Sequence, residues 1–516
     1  MMEIPDFLKE ILYKRNIKKE EEIKKFLFPE LNDILEPERI ENIEEASLEI
    51  INSIKKKERI FVYGDGDIDG IGGVYFILKF LKEKKSDFNY YLTHRLDDYE
   101  IEEGLVDYLM KENYKTIIFI DCGISSINFL KKCSENNIKV IVIDHHQADI
   151  ENLPEGPLYI HPLFASDKID LSATGLSFKL FQNLMSKYSY FCLNDYICIV
   201  GLATLSENLN LIDENRIFVK EMLKDLKYSS IKGLNLLVSK YLNKDNLEID
   251  EIKIKINPKL NSPGRFGKPE ITLNLLFEEE EREIEKLLKE IDQLDKKRYK
   301  ITQEILKKIE KNEEREDRFL IFENFPESLC GIIASRLTEK FGLPFFIASK
   351  KGNIIKGSAR APDSYDLYTE MKKIKDKFLS FGGHKTAIGF KFSIENEKEI
   401  KDYWKSIKVE KRDDEYFDIV FDIKDIKPEI FEYLNLLKPY GKGNNPPVFL
   451  CKDVLIKEIK KGEEQKYWAK KGNVIFECIF STDKKIEEGI KDIYYTPEIK
   501  EIDGYYKISL KIKNFR

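Results

Sequence analysis

An aspartate followed by two histidines, Asp144, His145 and His146, closes the β-branched run VIVIDHH. Two further apolar runs upstream also end in acid: FVYGDGDIDG carries Asp65, Asp67 and Asp69, and IIFIDCG carries Asp121. Strands that each deliver carboxylate or imidazole at their C-terminal ends are how an α/β sheet assembles a metal site along one edge. The donor types narrow the metal. Carboxylates mixed with imidazole, and no thiolate cluster, favour Mn2+ or Mg2+ ahead of Zn2+ or Co2+ and disfavour a soft-metal site. So many acids packed together repel one another unless cations stand between them, which points to more than one ion. Two such ions about 3.5–4 Å apart can activate a water and hold both oxygens of an in-line phosphoryl displacement. DGD or DIDG alone is an ordinary turn; the weight comes from three strand ends of one kind in a chain with only five histidines.

The elements that must position these residues follow from periodicity. From Arg59 to about Val200, strand-like runs (RIFVYG, FNYYLTH, KTIIFID, KVIVIDHH, PLYIH) alternate with helical stretches such as GGVYFILKFLKEKK. That alternation predicts a parallel sheet with helices on both faces. Residues 278–314 keep apolar residues three or four apart without Pro or Gly and predict one helix of roughly 55 Å. It most simply joins two lobes across a cleft, with a coiled-coil dimer as the bland alternative. The second lobe opens with FLIFENF, and glycine-bounded strands are expected to hold Arg336, Ser358 and Arg360 ahead of FGGHKTAIGF. Gly382 and Gly383 before His384 let the backbone approach a ligand, and the arginines suit a phosphate. The tail breaks into short strand-like pieces with interleaved Lys and aromatics, the pattern of a small oligonucleotide-binding barrel. Lys460, Lys461, Lys466, Lys470 and Lys471 surround Tyr467 and Trp468, a candidate backbone-and-stacking patch; a solvated basic hairpin is the plain alternative.

The expected organisation is α/β: an N-terminal helical segment (1–55), a metal-binding catalytic domain (56–277), a connecting helix (278–314), a smaller α/β lobe (315–407) and a C-terminal barrel (408–516). At 516 residues and 42% hydrophobic, the chain can bury several cores. Seven cysteines form neither a CxxC pair nor a regular framework, so a reducing compartment is expected. MMEIPDFLKEILYKRN has charges where a signal peptide needs an apolar stretch, and no uninterrupted apolar run of 18 exists. The expectation is a cytoplasmic protein without a membrane partner. A net charge of −7 argues against a chain wrapped all round by nucleic acid and leaves a local channel open.

The ordered set GDGDIDG, DCG, VIDHH, LSATGLSFKL, ATLSENLNLIDENR, NPKLNSPGR, GIIASRL, KGSARA and FGGHKTAIGF resembles the DHH phosphoesterase superfamily, and within it the RecJ-like single-strand exonucleases. KPYGKGNNPPVF is similar to the segment leading into their barrel domain. The resemblance implies two Mn2+ or Mg2+ ions held by Asp65, Asp67, Asp121 and His145, with Asp121 contacting both. It implies that Asp144 orients His145, that His146 stands close to the ions and the scissile phosphate, and that Arg336, Ser358, Arg360 and His384 handle the phosphate or nucleotide. Asn261 and Arg265 match a pattern near the hinge. One departure stands out: counting back from Glu214–Arg216, the family's fourth-motif aspartate falls on Glu207. The extra methylene moves the carboxylate by about 1.3–1.5 Å, and metal–oxygen bonds near 2.0–2.2 Å tolerate little error. Glu207 is still expected to ligate one ion, with altered metal preference or rate. Thr93, His94 and Arg95 also vary from the usual pattern, leaving His94 as either a substrate contact or a polar neighbour.

The activity so implied is 5′→3′ hydrolysis of single-stranded DNA to nucleoside 5′-monophosphates in repair or recombination, by a monomer with replication or repair proteins as further partners. Two alternatives compete: a phosphodiesterase of short oligonucleotides or RNA, which would not need the barrel, and an inactive replication scaffold, which should have lost metal ligands.

Overall fold

The computed structural model describes residues 4–94, 104–148, 150–166, 169–187, 194–242, 247–311, 318–407, 416–459, 466–480, 487–502 and 505–516. Five parallel strands, β1 (Arg59–Gly64), β2 (Phe88–Leu92), β3 (Tyr114–Ile120), β4 (Lys139–Ile143) and β5 (Leu158–Ile160), pair in the order β2-β1-β3-β4-β5. β3 and β4 are nearly continuous runs of buried Ile, Val and Phe, as strands covered on both faces must be. On one face Phe61, Ile117, Phe119, Val140 and Val142 pack with the helices Gly104–Lys111 and Ile127–Glu135. The opposite face receives Ile43–Lys55, Ile68–Glu83 and Ala173–Ser186. Gly64, Ile120 and Ile143 are register partners across three adjacent strands, so Asp65, Asp121 and Asp144 leave the sheet side by side.

The expected strut is the helix Glu281–Lys311, 31 residues and about 47 Å long. Ile284, Leu288 and Ile291 are buried along its first half. Asp292 accepts from Lys240 at 2.8 Å and Lys259 at 2.9 Å, and Asp295 pairs with Arg298 at 2.8 Å. Ile301, Ile305, Leu306 and Ile309 on its second half pack with Ile333 and Leu337 of the next lobe. One rod is thereby glued to both lobes.

That lobe holds β6 (Phe319–Glu323), β7 (Phe345–Lys351), β8 (Ile354–Arg360), β9 (Ser380–His384) and β10 (Ala387–Ser393), in the order β6-β7-β8-β10-β9. Phe346, Ala348, Ala359, Ile388 and Phe390 form the core of one face. The expectation that Arg336 lies on a strand is corrected: it lies on the helix Cys330–Phe341. Ile333, Ala334 and Leu337 fall at helical spacing, and Gly342, at φ +64, ends the helix in the left-handed conformation that suits glycine.

The remaining strands, β11 (Ile419–Val420), β12 (Phe449–Ile459), β13 (Lys466–Lys471), β14 (Val474–Phe480), β15 (Gly489–Ile502) and β16 (Tyr505–Phe515), run in the order β11-β12-β13-β14-β16-β15. Pairing of β12 with β15 closes five of them into a barrel. The N-terminal segment 1–55 carries the helices Asp6–Lys14, Glu20–Leu27 and Ile43–Lys55. Met1–Ile34 group with Asn210–Ile217 and Arg412–Arg516 as one unit, while Leu35–Leu209 and Phe218–Lys411 form the other. Leu8, Ile11, Leu12, Ile23, Phe26 and Leu27 sit on two helices too short to own a core, and they bury among Ile419, Ile423, Leu434 and Leu437. Among the described residues no helix is long and apolar enough to cross a membrane.

Arg216 locks the barrel unit. Its buried guanidinium donates to the carbonyls of Phe26 (2.9 Å), Leu436 (2.9 Å), Leu437 (3.0 Å) and Lys438 (2.6 Å). Burial pulls its pKa down to about 10. Arg216→Met orphans these acceptors and is expected to cost about 3 kcal/mol or more of unfolding free energy in urea titrations; a loss under about 1 kcal/mol would refute that role.

Candidate metal centre and phosphate clamp

Asp65, Asp121 and Asp144 extend the three-strand row by one residue. Asp65 N–H donates to the Ile120 carbonyl at 3.1 Å and Asp121 N–H to the Ile143 carbonyl at 2.8 Å. The chain then turns sharply. Asp121 adopts φ +61, left-handed backbone that Asp tolerates better than most residues. Asp67 caps the helix Ile68–Glu83, accepting from Asp69 N–H at 3.0 Å. Thr93 Oγ1 donates to Asp65 at 2.7 Å. Asn261 accepts from Ile68 N–H at 2.8 Å, and Gly264 lies so close that a Cβ would stand 1.9 Å from the Gly66 carbonyl. Arg265, at the end of the same helix, donates to the Ser328 carbonyl of the second lobe at 2.6 Å. The hinge motif therefore touches the acidic loop and the second lobe together.

Four overlapping groups have ligand atoms within 4.8 Å of one another: Asp65, Asp67, Asp121; Asp69, Asp121, His145; Asp121, Asp144, His146; and His145, His146, His384. Asp121 belongs to three of them. His145 Nε2 lies 3.3 Å from Asp121 and 3.4 Å from Asp69, yet it and Asp121 Oδ1 are buried without a hydrogen-bond partner. Orphaned donors of this kind, oxygen and imidazole around one point, fit a divalent cation.

The electrostatics separate the residues. Burial raises Asp121 well above the carboxylate range, and the charges of Asp69, Asp67, Asp65 and Glu207 raise it further. Burial lowers His145, which suits a neutral ligand, although Asp69 opposes the shift. His146 moves the other way, to about 9: burial opposes its charge, but Asp144 outweighs burial. Its Nδ1–H donates to Asp144 Oδ1 at 2.7 Å, and Asp144 is held low despite burial by that same imidazolium. Asp144 also accepts from the N–H groups of His145 (2.8 Å) and Ile124 (3.2 Å). The chain turns immediately after β4, so Asp144 holds His145 through its backbone N–H and His146 through its ring as well.

The second lobe completes the site. His384 stacks on His146 with ring centroids 5.0 Å apart and planes 15° apart. Gly383 at φ +141 permits the close pairing of β9 with β10 that carries His384, since a Cβ there would meet the Ala387 carbonyl at 2.2 Å. His384, Ala387 and Arg360 are register partners across β9, β10 and β8, and Arg360 bonds Ser358 Oγ. Arg336, half-buried on its helix, has no ion pair among the described residues.

Three expectations change in detail. Asp69, read only as lying beside the metal aspartates, is fully buried, belongs to a ligand group, and accepts the N–H groups of Ala173 (2.9 Å) and Thr174 (2.8 Å). Its position two residues after Asp67 was the available signal. Glu207 stands just past the helix Asn194–Ser206 and its charge reaches Asp121, but it belongs to none of the four tight groups. Tyr467 and Trp468 do not form one patch. They alternate along β13, so Tyr467 is 0% exposed in the barrel core and cannot stack a base, while Trp468 is 43% exposed. His94 lies edge-on to Tyr91 at 5.9 Å. Arg95, Lys460 and Lys461 lie outside the described residues.

A parallel sheet with acidic and imidazole residues at three adjacent strand ends, faced by a Gly-Gly-His lobe, is the arrangement of a DHH-type protein. Residues 59–204 match the DHH family N-terminal domain, 318–409 the DHHA1 domain and 417–514 the RecJ OB domain, and the chain belongs to the DHH superfamily. Within it the chain is RecJ-like. It is 26% identical to the single-stranded-DNA-specific exonuclease RecJ of Bacillus subtilis over 95% of this chain and 64% of that protein. It is 27% identical to that of Thermus thermophilus, over 80% and 61%. The chain thus spans a little under two thirds of the length of these relatives. The crystal structure of RecJ in complex with Mn2+ from Thermus thermophilus superposes with a TM-score of 0.83 at 22% identity, covering 99% of this chain and 76% of that one. The crystal structure of an exonuclease RecJ bound to manganese gives 0.60 at 25% identity, over 70% and 93%.

If cations relieve the repulsion at Asp121, Mn2+ at a hundredfold excess over Kd should raise the unfolding free energy by about 2.7 kcal/mol per site. Because a proton competes for the raised Asp121 carboxylate, that affinity should fall as pH falls. Asp121→Asn should lose most of the gain; calorimetry showing an undiminished gain would contradict a shared carboxylate.

Proposed function

We propose that this chain is a metal-dependent, single-strand-specific exonuclease that hydrolyses phosphodiester bonds, acts 5′→3′ on DNA and releases nucleoside 5′-monophosphates in repair or recombination. The single observation that carries the reading is the cluster centred on Asp121, faced by the stacked rings of His146 and His384. Asp65, Asp67, Asp69, Asp121 and His145 would hold two divalent ions, Mn2+ or Mg2+, with Glu207 adding charge or a further contact. When bound, such ions supply a nucleophilic water at neutral pH and charge that stabilises the transition state.

The chain's own residues do the rest. His146, charged through Asp144, presents a cation to a non-bridging phosphate oxygen. His384 adds a donor from the opposite lobe, and Arg360, placed by Ser358, and Arg336 are suited to the nucleotide's phosphate. Gly382, with open space where a Cβ would point, leaves room for the strand's backbone. On the barrel, Trp468 offers a face on which a base can stack. The names of the two relatives support single-stranded DNA as substrate, and the free described cysteines are compatible with the cytoplasm. A monomer working beside other repair or replication proteins completes the proposal.

The test is digestion of matched DNA and RNA single strands, labelled separately at each end, with Mn2+ or Mg2+. Release of 5′-label first, from DNA, as mononucleotide is expected; release of 3′-label first, or internal cutting, overturns the reading. Asp121→Ala should abolish turnover with the fold retained. Trp468→Ala should weaken binding of longer strands by about 1–3 kcal/mol while sparing short ones; length dependence unchanged from the parent would remove the barrel from the binding path.

A further inference from the structure

His161 stands outside every motif considered above. It is the first residue past β5 and is 2% exposed. Both ring nitrogens are committed. Leu163 N–H donates to Nδ1 at 3.1 Å, so that nitrogen must be bare; Nε2 lies 2.8 Å from the His146 carbonyl, which can only accept, so that nitrogen must carry the proton. The two contacts together fix a neutral imidazole with a single tautomer.

The bonded carbonyl belongs to the residue whose ring faces His384. Asp144 already holds His146 from one side, through its N–H at 3.1 Å and its ring Nδ1 at 2.7 Å. Without a partner for its carbonyl, the peptide after His146 can rotate and Cα can drift, although the ring stays tethered to Asp144. The Nε2–H of His161 closes that freedom by tying the turn to the end of β5, itself paired to β4 through Ile143 and Ile160. We propose that His161 is a positioning residue that anchors His146 over the reacting phosphate through its backbone. This rests on the phosphodiesterase reading above, and it predicts an effect on turnover rather than on binding.

Two variants separate the bonds. His161→Asn keeps an acceptor near Nδ1 for Leu163 N–H, but its amide is too short to reach the His146 carbonyl. His161→Gln places an N–H2 near the position of Nε2. With saturating Mn2+ and a short single strand, His161→Asn is expected to lower kcat about 10- to 100-fold with KM and bound manganese per chain unchanged, while His161→Gln stays within about threefold of the parent. Equal kcat for Asn and parent, or equal losses in Asn and Gln, overturns the proposal. A merely structural role would lower the melting temperature of both without dividing them in kcat. Nitrogen-15 histidine NMR of the metal-free chain supplies a readout independent of activity. A protonated Nε2 and bare Nδ1 at His161 are expected, and the reverse tautomer overturns the tether. An inactive parent protein would sink the phosphodiesterase reading, while the NMR result would still decide the tether.

Discussion

Like charges brought together at the edge of a sheet are the constraint around which the rest of the molecule is arranged. Adjacent strands stand about 4.8 Å apart, so three strands in register, each followed by aspartate, force carboxylates into a space where they cannot all ionise alone. Asp121 is raised first by burial and then further by that conflict with its acidic neighbours. Much of the nearby architecture holds the carboxylates in place despite it: Thr93 on Asp65, helix N–H groups on Asp67 and Asp69, and three backbone amides plus the His146 ring on Asp144. A cation that enters such a cradle meets ligands already oriented, and little of its binding energy goes into ordering them.

The second lobe answers the same constraint from the other side. The strut helix Glu281–Lys311 buries apolar residues against both lobes and commits two of its acids to ion pairs with Lys240, Lys259 and Arg298. His384 can therefore reach His146 across the cleft. Asn261, Gly264 and Arg265 give the same continuity at closer range. One short helix reads the acidic loop and reports to the lobe that carries Arg360.

Much of this is legible in the sequence. VIVIDHH, IIFIDCG and FVYGDGDIDG announce strands by β-branched runs and a metal site by their endings, and the 3.6-residue period of 278–314 announces the strut. Contacts between distant segments are not legible. Nothing local says that helices at residues 6–27 complete the core of a barrel starting near 417, because amphipathic helices carry no address. Arg336 reads as strand-borne because glycine-bounded apolar runs suit strand and helix alike until their period is counted. Tyr467 and Trp468 read as a pair because composition ignores the two-residue alternation that sends one ring inward and its neighbour outward. The bond from the His146 ring to Asp144 is not legible either, because a turn, rather than spacing, decides which ring folds back.

The most direct test of the central claim is electron paramagnetic resonance of the chain titrated with Mn2+. Two ions sharing Asp121 should give an exchange-coupled spectrum that saturates at two manganese per chain and collapses in Asp121→Asn. A spectrum of isolated ions at every loading, or no uptake at all, would contradict a paired centre built on that carboxylate.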